Sequence, residues 1–203
     1  KLPAQQETTV VDDIVMQVGR TGAVTPVAVL RSVNIAGVNV TRATLHNADE
    51  VARKDVRVGD TVLVQRAGDV IPEVVKVIES QRDPNAQPFI FPSSCPECGS
   101  DLVRPEREAV SRCLSQHCPA KLREGVWHFA SRKAMDVDGL GREIVKLLIE
   151  QGLVQRVSDL YRLSYDDMVG LEGFADKKAE RLIDALERSK ICSLGRFVFA
   201  LGI

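Results

Sequence analysis

Aromatic side chains are scarce, 4% of 203 residues, so any core must rest on Val, Leu, Ile and Ala. Positive charge is not in excess either. Lys and Arg total 27 against 28 Asp and Glu, for a net charge of −1. That excludes a simple basic protein and a nucleic-acid binder held by bulk electrostatics; any such contact must use local patches and backbone donors. No apolar run approaches the roughly 18 residues of a membrane helix. The polar opening KLPAQQETTV contains no apolar leader. The first residue is not Met and the last stretch, FVFALGI, is apolar, so the chain is expected to be a piece of a longer protein. The length exceeds the roughly 100–150 residues of a common single domain, which predicts more than one core.

Between residues 10 and 80 the chain carries five Val/Ile-rich runs: IVMQV, VTPVAVL, VNIAGVNV, TVLVQ and EVVKVIE. Gly, Pro and Asn separate them, as turns separate strands. A helical stretch, NADEVARK, falls between the third and fourth runs. Five strands with a helix after the third is the order of an OB-fold barrel; a small antiparallel sheet without nucleic-acid function fits the pattern as well. Residues 81–94 hold three prolines and no helical period, which predicts a linker. Beyond the cysteines the period turns helical, with Ile144, Leu147 and Leu148, then Leu182, Ile183 and Leu186, at three- and four-residue spacing. The expected fold is therefore multi-domain: an all-β OB-fold barrel, a small four-Cys zinc module and an all-α region.

Cys95 and Cys98 form a C-x2-C pair, fourteen residues intervene, and Cys113 and Cys118 form a C-x4-C pair. Two short turns, CPECGS and CLSQHC, can aim four thiolates at one point, the donor set of a closed structural Zn²⁺ site with no position open to water. The alternative, two disulfides, needs an oxidising compartment for which the chain carries no signal. A segment with almost no apolar core also has little but a metal to fold around. His117 beside Cys118 is a rival ligand, expected to lie exposed. Cys192, alone among helical residues, is expected to be a small buried hydrophobe.

AMDVDGLGREIV places a Gly-x-Gly turn before a helix and resembles the helix-hairpin-helix motif. Gly139 and Gly141 permit close backbone approach to a phosphate, Leu140 packs inward, and the next helix offers free N–H groups and its positive dipole end. Such contacts need no net positive charge. Arg132, Lys133 and Arg142 are candidate side-chain contacts. LEGFADKKAERLIDAL repeats the pattern 34 residues on, with Gly173 under Gly139 and Ala175 where the second glycine stood. If that position needs positive φ, Ala175 weakens phosphate binding there. The plain alternative for each motif is an ordinary helix–helix turn. Barrel, zinc module and hairpins together point to DNA.

The order of parts, with KLPA, VGRTGAVTPVA, ATLHNADE, RAGDVIP, CPECGS and SRKAMDVDGLG, resembles bacterial NAD-dependent DNA ligase over essentially the whole chain, in its C-terminal half. The resemblance implies an end of the adenylation domain at 1–8, an OB-fold domain at 9–82, a linker at 83–94, a zinc finger at 95–122 and a truncated helix-hairpin-helix domain at 123–203. The family's Lys-x-Asp-Gly nucleophile, which takes AMP from NAD, is missing, so the fragment alone is expected to be inactive and to bind neither NAD nor Mg²⁺. Lys1 resembles the lysine of the last adenylation motif, which contacts the nucleotide. Arg20, Thr21 and Arg66 resemble DNA contacts, and Val70 and Ile71 the apolar pair pressed into the minor groove; on residue type alone, plain core packing of Val70 and Ile71 is preferred. His46 and Asn47 fall in a stretch read as structural. The implied partner is nicked double-stranded DNA in replication and repair, in a cytoplasmic, nucleoid-associated bacterial monomer with no membrane contact. The zinc module is expected to act as a rigid joint between barrel and hairpins. A free-standing DNA-binding module of the same parts is the alternative, disfavoured by the opening KLPA. Phe197, Phe199 and Leu201 are expected to be exposed by truncation.

Overall fold

The computed structural model describes residues 5–66, 71–171 and 173–203. Two compact units, Lys1–Ser115 and Gln116–Ile203, each have a core of their own.

In the first unit five strands close a barrel in the order β1-β2-β3-β5-β4: β1 (Gln5–Val18), β2 (Val24–Ile35), β3 (Val38–Thr44), β4 (Thr61–Arg66) and β5 (Glu73–Val77). β1 makes closure possible because it is long enough to serve two neighbours. Its first half, Gln5–Val10, pairs antiparallel with β4, and Val11–Val18 pairs with β2. The register shifts between Val11 and Asp13, a bulge that bends the strand and resets its alternation, so that Val11 and Ile14 both face inward. A single parallel pair, Thr44 with Glu73, joins β3 to β5. The barrel is filled by aliphatics such as Val11, Leu30, Ile35, Leu45, Val62, Val64 and Val74, as the scarcity of aromatics requires.

One expected strand divides. VNIAGVNV is the end of β2 and the start of β3, joined by Ala36 and Gly37, both at positive φ. That is the two-residue primed turn whose twist matches the strands it connects. NADEVARK forms α1 (Ala48–Lys54), capped by the Asn47 side chain, which accepts from the Glu50 N–H at 2.9 Å. Asn47 is thus a helix cap, and the ring of neighbouring His46 meets Glu73 at 2.8 Å.

The start of the linker is tied down by a group that pattern reading missed. Asp60 is fully buried, and Arg82 donates to both its carboxylate oxygens at 2.8 Å. Arg82 also donates to Asp55, whose carboxyl is held below its ordinary range chiefly by Arg57 and then by Arg82. After this clamp come β6 (Leu102–Val103) and β7 (Arg112–Cys113), a two-stranded ribbon.

The second unit is helical: α2 (Pro119–Ala130), α3 (Arg142–Glu150), a 3-10 stretch at Val157–Arg162, α4 (Tyr165–Val169), α5 (Asp176–Ser189) and α6 (Leu194–Leu201). α2 is shorter than its pattern suggested. It stops at Ala130, and Asp136 in the turn beyond takes a left-handed conformation with its N–H on the Ser131 carbonyl. Phe129, Leu140, Val145, Leu148, Leu160, Met168, Phe174 and Leu182 belong to its core. Phe197, Phe199 and Leu201 are exposed, as expected. None of the described helices is long and apolar enough to cross a membrane.

Candidate functional site

Local spacing brings the four cysteines together. C-x2-C closes as a turn in which the Gly99 N–H donates to the Cys95 carbonyl at 2.9 Å, and Gly99 takes positive φ. Cys113 ends β7, and Cys118 precedes Pro119 at the start of α2. The four sulfur atoms all lie within 4.8 Å of one another, three of the residues buried and Cys98 half-buried. Cys98 and Cys113 have sulfurs 3.5 Å apart, far beyond the roughly 2.05 Å of a disulfide, and none of the five cysteines forms a disulfide. A tetrahedral ion with Zn–S bonds of about 2.3 Å places its sulfurs about 3.8 Å apart, so the cluster fits Zn²⁺ and excludes the disulfide alternative. The Ser100 hydroxyl, 3.4 Å from the Cys98 sulfur, and the Ser100 backbone lower that thiol to about 6, with the neighbouring cysteines contributing less. At neutral pH it is then largely the thiolate a metal requires. His117 is exposed. Cys192 is not the buried hydrophobe expected: it lies exposed in the connection after α5 ends at Ser189, its sulfur 3.8 Å from that of Met135.

The two glycine turns share a backbone conformation and the hydrogen bond that holds each turn. Gly139 has φ +85° and Gly173 φ +77°. Leu140 and Phe174, the residues between, are buried, and their N–H groups donate to Val137 and Leu171 at 3.2 and 3.1 Å. Gly141 (φ −77°, ψ 173°) caps α3, and Ala175 (φ −88°, ψ 158°) caps α5. Both are extended, so this position does not need positive φ and Ala175 carries no backbone penalty. Neither cap offers a side-chain hydrogen bond, whereas Asn47, Ser164 and Ser193 cap α1, α4 and α6 with their own oxygens. First-turn N–H groups of α3 and α5 therefore have no side-chain cap.

The candidate side chains divide. Arg132 and Lys133 are exposed on the turn before the first hairpin. Arg142 is engaged: its guanidinium forks onto Glu124 and lies 3.9 Å over the Trp127 ring. Arg20 is half-buried and Thr21 exposed in the β1–β2 turn, where Arg112 donates to the Thr21 hydroxyl at 3.2 Å. Arg66 ends β4. Ile71 is 73% exposed, so plain core packing fails for it. Val70 and Lys1 lie outside the described residues.

Three family profiles match the chain: NAD-dependent DNA ligase OB-fold domain over residues 8–86, NAD-dependent DNA ligase C4 zinc finger domain over 94–120, and SAM-like helix-hairpin-helix tandem over 131–188. Among curated proteins, the DNA ligase of Halothermothrix orenii is 55% identical over 204 residues. Those of Syntrophotalea carbinolica and Geotalea uraniireducens are 53% and 54% identical over 203. Each match covers all of this chain, which spans 30% of the length of these relatives. The four-cysteine cluster is accordingly a zinc-binding module, closed and structural.

Proposed function

This chain belongs to the NAD-dependent DNA ligase family, and on that premise we propose that it is the part of such an enzyme that grips nicked duplex DNA. In the whole protein a lysine outside this chain is adenylated by NAD with Mg²⁺ present. AMP then passes to the 5′-phosphate of the nick, and the 3′-hydroxyl displaces it. This chain lacks that lysine, binds neither NAD nor Mg²⁺, and does not seal nicks by itself. The enzyme works as a monomer in the bacterial cytoplasm, at the nucleoid, in replication and repair.

The observation that carries the reading is the pair of equivalent hairpins. At both, a buried apolar residue anchors a glycine turn, and an exposed helix N-terminus follows without a side-chain cap. N–H groups so placed suit phosphate oxygens, and the dipole favours negative charge there. They hold the backbone without reading bases, which explains how a chain of net charge −1 grips DNA. Arg132 and Lys133 add charge beside the first hairpin. On the barrel, exposed Ile71 presses into the minor groove with Val70 while Arg20, Thr21 and Arg66 hold flanking phosphates. Identity of 53–55% to DNA ligases argues against a free-standing module of another class.

Binding of a labelled nicked duplex, followed by fluorescence anisotropy, tests the hairpins. Gly139→Ala and Gly173→Ala are each expected to weaken binding. Unchanged affinity in both variants overturns the assignment.

A further inference from the structure

The turn that closes β1 onto β2 does more than reverse the chain. Within it the Gly22 N–H donates to the Gly19 carbonyl and the Gly19 N–H to the Ala23 carbonyl, each at 2.9 Å. Its outer edge pairs with β7 of the zinc module. The Cys113 N–H donates to the Gly22 carbonyl at 2.9 Å, the Val24 N–H donates to the Ser111 carbonyl at 2.9 Å, and Ala23 bridges Arg112. One of the four metal ligands is thus hydrogen-bonded through its own backbone to the barrel. Gly22 is buried at φ +81°, and a Cβ added to it would stand 2.2 Å from the Cys113 carbonyl oxygen.

We infer that Gly22, a residue of the barrel, is a positioning residue for the zinc ligand Cys113, and that the metal in turn holds the β1–β2 turn against β7. A carbon–oxygen contact closes to about 3.3 Å at best. A side chain at Gly22 therefore drives the Cys113 backbone back by about 1 Å, whereas metal–ligand distances tolerate about 0.2 Å. Groups that orient a ligand in this way commonly change metal affinity by about 10–100-fold when altered. Coupling between two sites is reciprocal, so filling the thiolate site must stabilise the pairing at Gly22 and Val24 by the same free energy. None of this depends on DNA binding.

Gly37 supplies the control. It has φ +77°, but nothing lies within 4 Å of an added Cβ. Gly22→Ala and Gly37→Ala carry the same backbone handicap, and only the first meets Cys113. Zinc affinity of the full chain is measured by competition with a chromophoric chelator, and the site geometry by the visible spectrum of the cobalt-substituted protein. Gly22→Ala is expected to bind zinc at least about 10-fold more weakly than wild type and to show an altered cobalt spectrum, while Gly37→Ala matches wild type in both. Equal affinities for all three overturn the inference. Should Gly22→Ala fail to fold, amide exchange of wild type decides. Chelation is expected to deprotect the Val24 and Cys113 amides while Val62 within the β-barrel stays protected. Unchanged protection at Val24 and Cys113 overturns the inference.

Discussion

Gly139 and Gly141 look interchangeable in the motif, but their backbones are not, and substituting each with alanine separates them. Gly139 sits at φ +85°, where an L side chain costs about 1–2 kcal/mol. Open space surrounds its Cα, so the cost is conformational and no clash adds to it. Gly141 sits at φ −77° and ψ 173°, also in open space. Alanine there restricts the unfolded chain, a gain of about 0.4–1 kcal/mol. Against this, alanine is a poorer N-cap than glycine by a comparable amount. The two effects nearly cancel, so Gly141→Ala is expected to leave stability within about 0.5 kcal/mol. Gly139→Ala should lower the melting temperature by about 4–16 °C for a unit of this size class, and Gly173→Ala by a similar amount. Thermal unfolding followed by circular dichroism at the helical band reads the second unit directly. A Gly141→Ala variant as destabilised as Gly139→Ala would refute the reasoning, and with it the equivalence of Gly141 and Ala175.

Metal analysis should find one zinc per chain, with exposed Cys192 alone reacting with a thiol reagent until a chelator releases the other four cysteines; no metal and five reactive thiols would contradict the site. Arg82→Ala strands the buried Asp60 carboxylate and should cost about 3–5 kcal/mol in urea unfolding of the barrel. A loss below about 1 kcal/mol would mean the clamp carries little. Ile71→Asp and Arg66→Ala should weaken binding of nicked duplex, and Ile71→Asp should leave barrel stability within about 0.5 kcal/mol, because that side chain is 73% exposed. Unfolding of the barrel by Ile71→Asp would place that residue in the core.

What the sequence carried, it carried locally. Cysteine spacing predicts the metal site because each pair closes within one turn, and a 34-residue echo predicts two hairpins because each is built from consecutive residues. Valine-rich runs predict five strands, yet VNIAGVNV hid a turn: Ala36 takes a left-handed conformation that Asn or Gly ordinarily signals. The β1 bulge was invisible for a related reason, since Val11 and Ile14 break strict alternation and only the pairing with two partners explains them. Cys192 is exposed because it falls between α5, which ends at Ser189, and α6, which starts at Leu194, so no helix face turns it inward. Arg82 on Asp60, and Gly22 against Cys113, join residues from separate stretches of the chain. Neither leaves a period or a motif to read.

The claim that this chain holds DNA by its backbone is tested most directly by titrating a nicked duplex with the intact zinc-loaded chain at roughly 50 and 200 mM salt. The account predicts measurable binding at the lower salt, steep loss at the higher, and the same affinity for duplexes of unrelated sequence. Affinity indifferent to salt, or dependent on the bases flanking the nick, would contradict it.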